Sequence, residues 1–373
     1  MSESADVRNH GVKVLGIGTA LPPYFIRQED AAKAAVKYCP PDDKYARILP
    51  ALYELTRIQK RGSVVLEDDC ENSEPTQHFF NIRENDSNTF GPDTEARMKV
   101  YVEKAPGMAR RACQEALRKS DTQPEEIGQL ITISCTGFSA PGFDIELIKT
   151  LPLPPSVGRV HIGFMGCHAM FNAFRAASAF AQSHPNKKIL VCSVELCSLH
   201  YSYHGSYERL LSNALFADGA AASVFSGNHQ GNHVWELVQN ASCIFPDSED
   251  AMRWDIGNNG FLMKLSDKVP ALIARNLRPW LESWLGGLSL RLSDIQTWAI
   301  HPGGPRILDE IQMHLGLTDG SLEVSYDILS KYGNMSSATI LFILDRLMEQ
   351  KAKTPCVALS FGPGLTAEAA LFT

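Results

Sequence analysis

A run of apolar residues from Val12 to Ile17, closed by Gly18, predicts a first β-strand. The stretch from about Pro22 to Asp93 has no clear period. It carries Pro40-Pro41, an acidic cluster from Glu67 to Glu71 and polar Asn85 to Asn88. Met98, Val102, Met108, Cys113 and Leu117 then recur near helical spacing and predict a helix over Thr94 to Lys119. Gln129 to Cys135 reads as a strand and Val160 to Phe164 as a buried strand. Met165-Gly166-Cys167 reads as a tight turn into a helix over His168 to Gln182. Lys188 to Val194 and Ala220 to Phe225 read as further strands. Strands alternating with helices predict a layered α/β architecture.

Around Ser226 to Gly231 the chain turns to Gly, Asn and His, which marks a seam between residues 1–227 and 228–373. Beyond it the same grammar returns. His233 to Ser242 reads as a strand, Val269 to Trp284 as a helix and Thr297 to Ile300 as a strand that runs into His301-Pro302-Gly303-Gly304-Pro305. Helices follow over Arg306 to Leu315 and, opened by Gly333-Asn334, over Met335 to Glu349. Cys356 to Phe361 is the last strand, broken by Gly362-Pro363-Gly364. Gly166-Cys167 and Gly333-Asn334 stand at equivalent points of the two series, which suggests halves related by a pseudo-twofold.

The chain has 373 residues, of which 44% are hydrophobic and 21% charged, as in an ordinary globular protein. Its net charge of −7 argues against a nucleic-acid partner. No apolar run reaches the roughly 20 residues of a membrane span, and Met1 to His10 has no signal-peptide core, so a cytoplasmic location is expected. Nine cysteines are scattered without a C-x-x-C pair and read as free thiols in a reducing compartment.

Three residues stand out from that background. Cys167 sits at a helix start, where the peptide dipoles favour thiolate over thiol. The plain alternative is a small residue in a crowded turn. His301 ends a strand at a rigid turn, which can expose it to a cleft; a solvated loop histidine is the alternative. Asn334 follows Gly333 at a helix start, where a simple N-cap is the alternative. Together they are more specific, since strand-to-helix junctions of layered α/β folds gather outside the carboxyl ends of the strands. A thiol nucleophile, an imidazole to polarise it and an amide donor for an oxyanion make a consistent acyl-transfer site.

The peptides around these residues are Gly163-Phe164-Met165-Gly166-Cys167, Trp298-Ala299-Ile300-His301-Pro302-Gly303-Gly304-Pro305 and Tyr332-Gly333-Asn334-Met335-Ser336-Ser337-Ala338. Ala214-Leu215-Phe216-Ala217-Asp218-Gly219 and Phe361-Gly362-Pro363-Gly364-Leu365-Thr366 accompany them. In this order they resemble the type III polyketide synthases, the chalcone synthase-like branch of the thiolase superfamily. The resemblance runs from about residue 12 to residue 373 and is weakest over residues 23–95. It implies a five-layer αβαβα fold with two pseudo-symmetric halves and a homodimer. No permanently bound cofactor is implied: an acyl-CoA starter is loaded on Cys167 and extended with malonyl-CoA, an acyl carrier protein being an alternative donor. His301 would pair with the thiolate and, with Asn334, stabilise the enolate and the thioester oxyanion.

Matching positions give a gate at Phe216 and a second gate near Met263, with Phe261 two residues away. Cys135, Thr136, Glu195, Cys197, His200 and Ser336 match the starter-pocket wall. His200 is larger than the family's usual small residue and is expected to reshape the cavity, unless it is a hydrogen-bonded core histidine. Ser360 replaces a glycine before Phe361. CoA phosphates want basic partners, and the family's basic cluster is reduced to Arg47 within Tyr45 to Leu55. Arg57, Lys60, Arg61 and above all Arg306 are the alternatives.

A condensing enzyme like ketoacyl synthase III, extending once, would share the three residues. The spacing of Cys167 and His301 also fits a papain-like hydrolase, but the peptide around the cysteine does not. A non-catalytic scaffold would not need all three. Gly16-Ile17-Gly18 lacks the third glycine and the helix of a dinucleotide fingerprint, and His229 and His233 lack further ligands, so no metal is expected.

Overall fold

A computed structural model describes residues 11–39, 44–68, 76–80, 91–203, 205–228 and 235–373. Cys70, Asn85 to Asn88, His229, His233, Met1 to His10 and most of the acidic cluster lie outside them. Through residue 228 the elements are β1 (Val12–Ala20), β2 (Phe25–Arg27), α1 (Gln28–Tyr38), α2 (Leu49–Glu54), β3 (Lys60–Gly62), α3 (Thr94–Lys119), β4 (Ile127–Ser134), α4 (Phe143–Thr150), β5 (Gly158–Gly163), α5 (Ala169–Ser183), β6 (Lys188–Leu196), α6 (Tyr207–Leu215) and β7 (Asp218–Ser226). From residue 235 they are β8 (Glu236–Ile244), β9 (Met252–Gly257), β10 (Gly260–Leu265), α7 (Val269–Gly287), β11 (Thr297–Ile300), α8 (Pro305–Leu315), α9 (Glu323–Tyr332), α10 (Thr339–Glu349), β12 (Cys356–Gly362) and β13 (Thr366–Phe372).

Nine strands are hydrogen-bonded in the order β11-β12-β13-β8-β1-β7-β6-β4-β5. Within it, β1-β7-β6-β4 and β8-β13-β12-β11 are the same arrangement. In both, the first two pairings are antiparallel and the third is parallel. The two series join at β1 and β8 through only Val12↔Leu237 and Lys13↔Glu236. The repeat inferred from Gly166-Cys167 and Gly333-Asn334 is thus a repeat of topology, and β5 has no counterpart.

Alternation along the strands builds the layers. Ile131, Ile133, Ile189 and Val191 face inward with Cys356 and Ala358, all against α5 and α10. Leu130, Leu190, Cys192 and Val194 face outward onto α3, while Val357 and Leu359 face α7 and α8 on the far side. Five layers result, α3 and α4, sheet, α5 with α10, sheet, and α7 with α8. Every residue from Thr339 to Leu344 is buried, as a helix enclosed between two sheets must be.

Two expectations change. β5 is an edge strand and largely exposed, with Val160 45% accessible, because among the described residues no further strand pairs beyond it. The stretch read as irregular after Pro22 contains α1 and α2, which pack Ala31, Ala35, Leu49 and Leu52 against α6, and the β2–β3 ribbon.

Candidate active site

Cys167 lies in a single 3₁₀ turn, Gly166–His168, that leads into α5. Gly166 must adopt φ +79°, and a Cβ there would meet Pro363 Cδ at 2.2 Å. The turn after β12 therefore presses directly on the Cys167 turn, and only glycine fits. Gly362 is equally tight against His168, where a Cβ would lie 2.2 Å from the ring. Cys167 ends 7% accessible.

The second half meets this turn with another 3₁₀ turn, Ser336–Ala338, before α10. The helix expected from Met335 thus starts at Thr339. Ser336 Oγ donates to Cys167 Sγ at 3.6 Å. Asn334 holds its turn by accepting the Ser336 N–H on Oδ1 at 2.8 Å. That is the capping role read as the alternative, and it leaves the amide donor free for Cys167, to which Asn334 also hydrogen-bonds. The backbone of Asn334 bridges Phe216, donating to Leu215 O and accepting from Ala217 N, both at 2.9 Å. Phe216 and the Asn334 amide are therefore tied into one unit.

His301 follows β11, and its backbone N–H donates to Leu359 O at 2.8 Å. It is buried rather than exposed to a cleft. Neither ring nitrogen has a hydrogen-bond partner among the described residues. A buried imidazole left unpaired is costly. The ring lies close enough to His168, the neighbour of Cys167, to feel its charge.

Burial dominates the electrostatics. It pushes the Cys167 thiol up to about 12, against hydrogen bonds from Ser336 and Asn334 that favour the thiolate, while the Glu195 charge raises it further. The expected lowering by the helix start is overridden, because the turn is sealed from water and a lone thiolate there loses its hydration. Burial likewise lowers His301 to about 3, His168 adding to the effect. Burial thus disfavours a lone thiolate and a lone imidazolium alike.

Cys167 opens on an apolar cavity. Phe216, Phe261, Met263, Cys135, Thr136, Cys197, His200 and Ser336 all line it, so both candidates for the second gate reach it. Trp254, Met252, Tyr38, Phe80 and Arg209 line it as well and were not singled out from sequence. The β9–β10 hairpin supplies the first two; its signal was present in the alternation Met252, Trp254, Ile256 and in Gly257-Asn258-Asn259-Gly260. Ser360 sits in regular β12 opposite Glu368, so the backbone there is undisturbed.

Glu195 is a correction: it stands behind the wall and does not line the cavity. Its carboxylate accepts from Cys135 N at 3.0 Å and Thr136 Oγ1 at 2.8 Å, and from Ser337 Oγ. Burial nevertheless raises it from 4.5 to about 7. The folded chain thus binds this proton more tightly than the unfolded chain, and the Glu195 contribution to stability falls as pH rises from about 4.5 to 7. The cost is on the order of 3 kcal/mol at about 1.4 kcal/mol per pH unit. Glu195→Gln should flatten that limb of a melting-temperature profile; an unchanged slope would assign it to other groups.

The basic candidates separate. Arg61 is buried, and its Nη1 donates to Asn213 O and Phe216 O, both at 2.6 Å, so it clamps the gate backbone from within. Those carbonyls hold Nη1, and the side chain also lines the cavity. Arg57 is committed to Asp309 through two bonds, at 3.0 and 2.9 Å. Lys60 is exposed over the Phe25 ring, 4.9 Å from its centroid. Arg306 is exposed on the first turn of α8, four residues past Pro302, and outside the cavity lining.

The models for the N-terminal and C-terminal domains of chalcone and stilbene synthases match residues 2–229 and 236–373. The alpha-pyrone synthesis polyketide synthase-like Pks18 of Mycobacterium tuberculosis is 32% identical over 365 residues, covering 96% of this chain and 90% of that protein. The crystal structure of PKS-I from the brown alga Ectocarpus siliculosus superposes with a TM-score of 0.87 at 29% identity, over 98% of this chain and 99% of the other. A type III pentaketide synthase from Neurospora crassa gives 0.84 at 26% identity, over 97% and 99%. The chain belongs to the chalcone and stilbene synthase family of type III polyketide synthases, enzymes that join acyl units by decarboxylative condensation.

Proposed function

We propose that Cys167 is the nucleophile and acyl carrier, that His301 takes its proton, and that His301 and Asn334 stabilise the oxyanions of a condensation using CoA thioesters. The carrying observation is the hydrogen bonding of Cys167 to Asn334 and Ser336 beside an apolar cavity that Cys167 and Ser336 line. Burial makes a lone thiolate or a lone imidazolium expensive. Passing the proton from Sγ to the imidazole forms both charges together, and their attraction offsets that cost. The thiolate then attacks the starter thioester, the tetrahedral oxyanion collapses, and CoA leaves as its thiolate to take up the proton. Malonyl-CoA loses CO2, and the electron pair left behind becomes an enolate held by the His301 N–H and the Asn334 amide. Its carbon attacks the acyl–Cys167 carbonyl, a C–C bond forms, and the Cys167 thiolate is released for the next round.

Halves at residues 1–227 and 228–373, a homodimer and a cytoplasmic location complete the reading. The dimer is supported by the unpaired edge of β5 and by Phe138, Val160 and Met165, which are exposed near it. No helix among the described residues is long and apolar enough to cross a membrane. Arg306, exposed and beyond the His301 turn, is the cation best placed for a CoA phosphate.

The test is intact-protein and peptide mass spectrometry after incubation with a panel of acyl-CoAs, with and without malonyl-CoA. An acyl adduct on the Cys167 peptide, followed by malonyl-dependent CO2 and CoA release, is the expected result. Its mass names the starter and counts the extensions. No adduct from any acyl-CoA, on protein whose Cys167 still reacts with iodoacetamide, would overturn CoA as the donor.

A further inference from the structure

The β9–β10 hairpin stands outside the nine-stranded sheet as a separate two-stranded ribbon, yet it carries Trp254, Phe261 and Met263 of the cavity wall. Two side chains tie it to the two residues after β4. Trp254 Nε1 donates to Cys135 O at 2.7 Å. His200 joins Thr136 O at 2.7 Å through Nε2 and receives the Phe261 N–H on Nδ1 at 2.9 Å. Because the Phe261 amide can only donate, Nδ1 must be bare and the proton must sit on Nε2. Both nitrogens are then satisfied in a neutral ring. The same ring lies flat on Phe261, with centroids 4.1 Å apart at 13°, and Trp254 stands edge-on to both.

Cys135 and Thr136 are a junction as well as an anchor. Cys135 Sγ accepts the Gly166 N–H at 3.0 Å, one residue from the nucleophile, and Cys135 N donates to Glu195 at 3.0 Å. The hairpin is thus bolted to the segment that supports the Cys167 turn.

We propose that His200 and Trp254 are positioning residues that latch the β9–β10 hairpin shut against Cys135 and Thr136, and so limit how much of the cavity a growing polyketide chain can occupy. This rests on the polyketide synthase reading of the same site. It differs from a volume effect because the latch resides in three hydrogen bonds. His200→Phe keeps the stacked ring and removes two of the bonds. Trp254→Phe keeps an aromatic wall and removes the third. His200→Gln sacrifices the stack but retains an amide donor for Thr136 O and a carbonyl acceptor for Phe261 N.

The experiment is hydrogen–deuterium exchange of the full-length protein over residues 252–265, with product lengths and KM and kcat measured separately on the same variants. His200→Phe and Trp254→Phe should raise exchange of the hairpin amides about tenfold. They should lengthen the product distribution and raise KM for the starter more than they lower kcat, and His200→Gln should bring hairpin exchange back near the wild-type level. Wild-type exchange in both Phe variants, or a His200→Gln protein as loosened as His200→Phe, would overturn the latch. A melting temperature for each variant separates local loosening from general unfolding. Exchange needs no substrate, so failure of the wild-type protein to load acyl-CoA would remove the functional reading while the latch is still decided.

Discussion

Cys167→Ala is expected to abolish acyl loading and all polyketide formation, a loss of at least about a thousandfold. The side chain is small and 7% accessible, and its replacement removes one sulfur from a turn fixed by Gly166 and Pro363, so the fold should persist. Neighbouring thiols do not take over. Burial raises Cys135 and Cys197 well above the ordinary thiol range, and nearby carboxylate charge adds to both. Mass spectrometry should find no acyl adduct on the variant, and product analysis should find no chain. Polyketide from the Cys167→Ala protein would refute the assignment of the nucleophile, whatever its rate.

His301→Gln should separate the two steps proposed for the wild-type residue. If His301 is the acceptor, its removal leaves the Cys167 thiol, raised to about 12, to lose its proton to solvent. Reaction of Cys167 with iodoacetamide should then climb about tenfold per pH unit across the neutral range, whereas the wild-type thiol should already react at neutral pH. Loading should survive, slowed, because a thiolate is still reachable. Malonyl decarboxylation should fall by about two to three orders of magnitude, the usual loss for one oxyanion donor. Alkylation profiles of identical shape for the two proteins would show that His301 does not accept the proton. Retained decarboxylation would remove it from the enolate site.

What could be read in advance followed the range over which each feature is determined. The helix over Thr94–Lys119 was legible because Met108, Cys113 and Leu117 recur on the face that meets one core, although Val102 is exposed, and the strand over Thr297–Ile300 because Trp298-Ala299-Ile300 is an unbroken apolar run buried on both faces. The placement of Cys167, His301 and Asn334 at element junctions was legible because Gly166, Gly333 and the Pro-Gly-Gly-Pro after His301 are local backbone signals. Burial of the site was not. It depends on Pro363 reaching Gly166 and on Ser336 reaching Cys167, contacts between residues far apart in the chain. For that reason the thiol titrates in the opposite direction from the one its helix start suggested. Arg61 shows the same limit, since only the path of α6 decides that its guanidinium meets the carbonyls of Asn213 and Phe216. His200 combined both readings offered for it, a cavity wall and a fully bonded histidine, and only its partners reveal that these are one role.

The pressure of Pro363 on Gly166 also sets an order of events during synthesis. The nucleophile turn and the residues that close it are separated by about half the chain. Contacts of such long sequence separation form late and slowly. A chain that stops short of residues 361–365 is expected to lack the contact that closes the Cys167 turn. The turn is expected to close when β12 and β13 dock beside β8 and seat the Gly-Pro-Gly corner. A chain truncated before that corner should leave Cys167 open to water, and its faster reaction with iodoacetamide than in the full-length protein would show it.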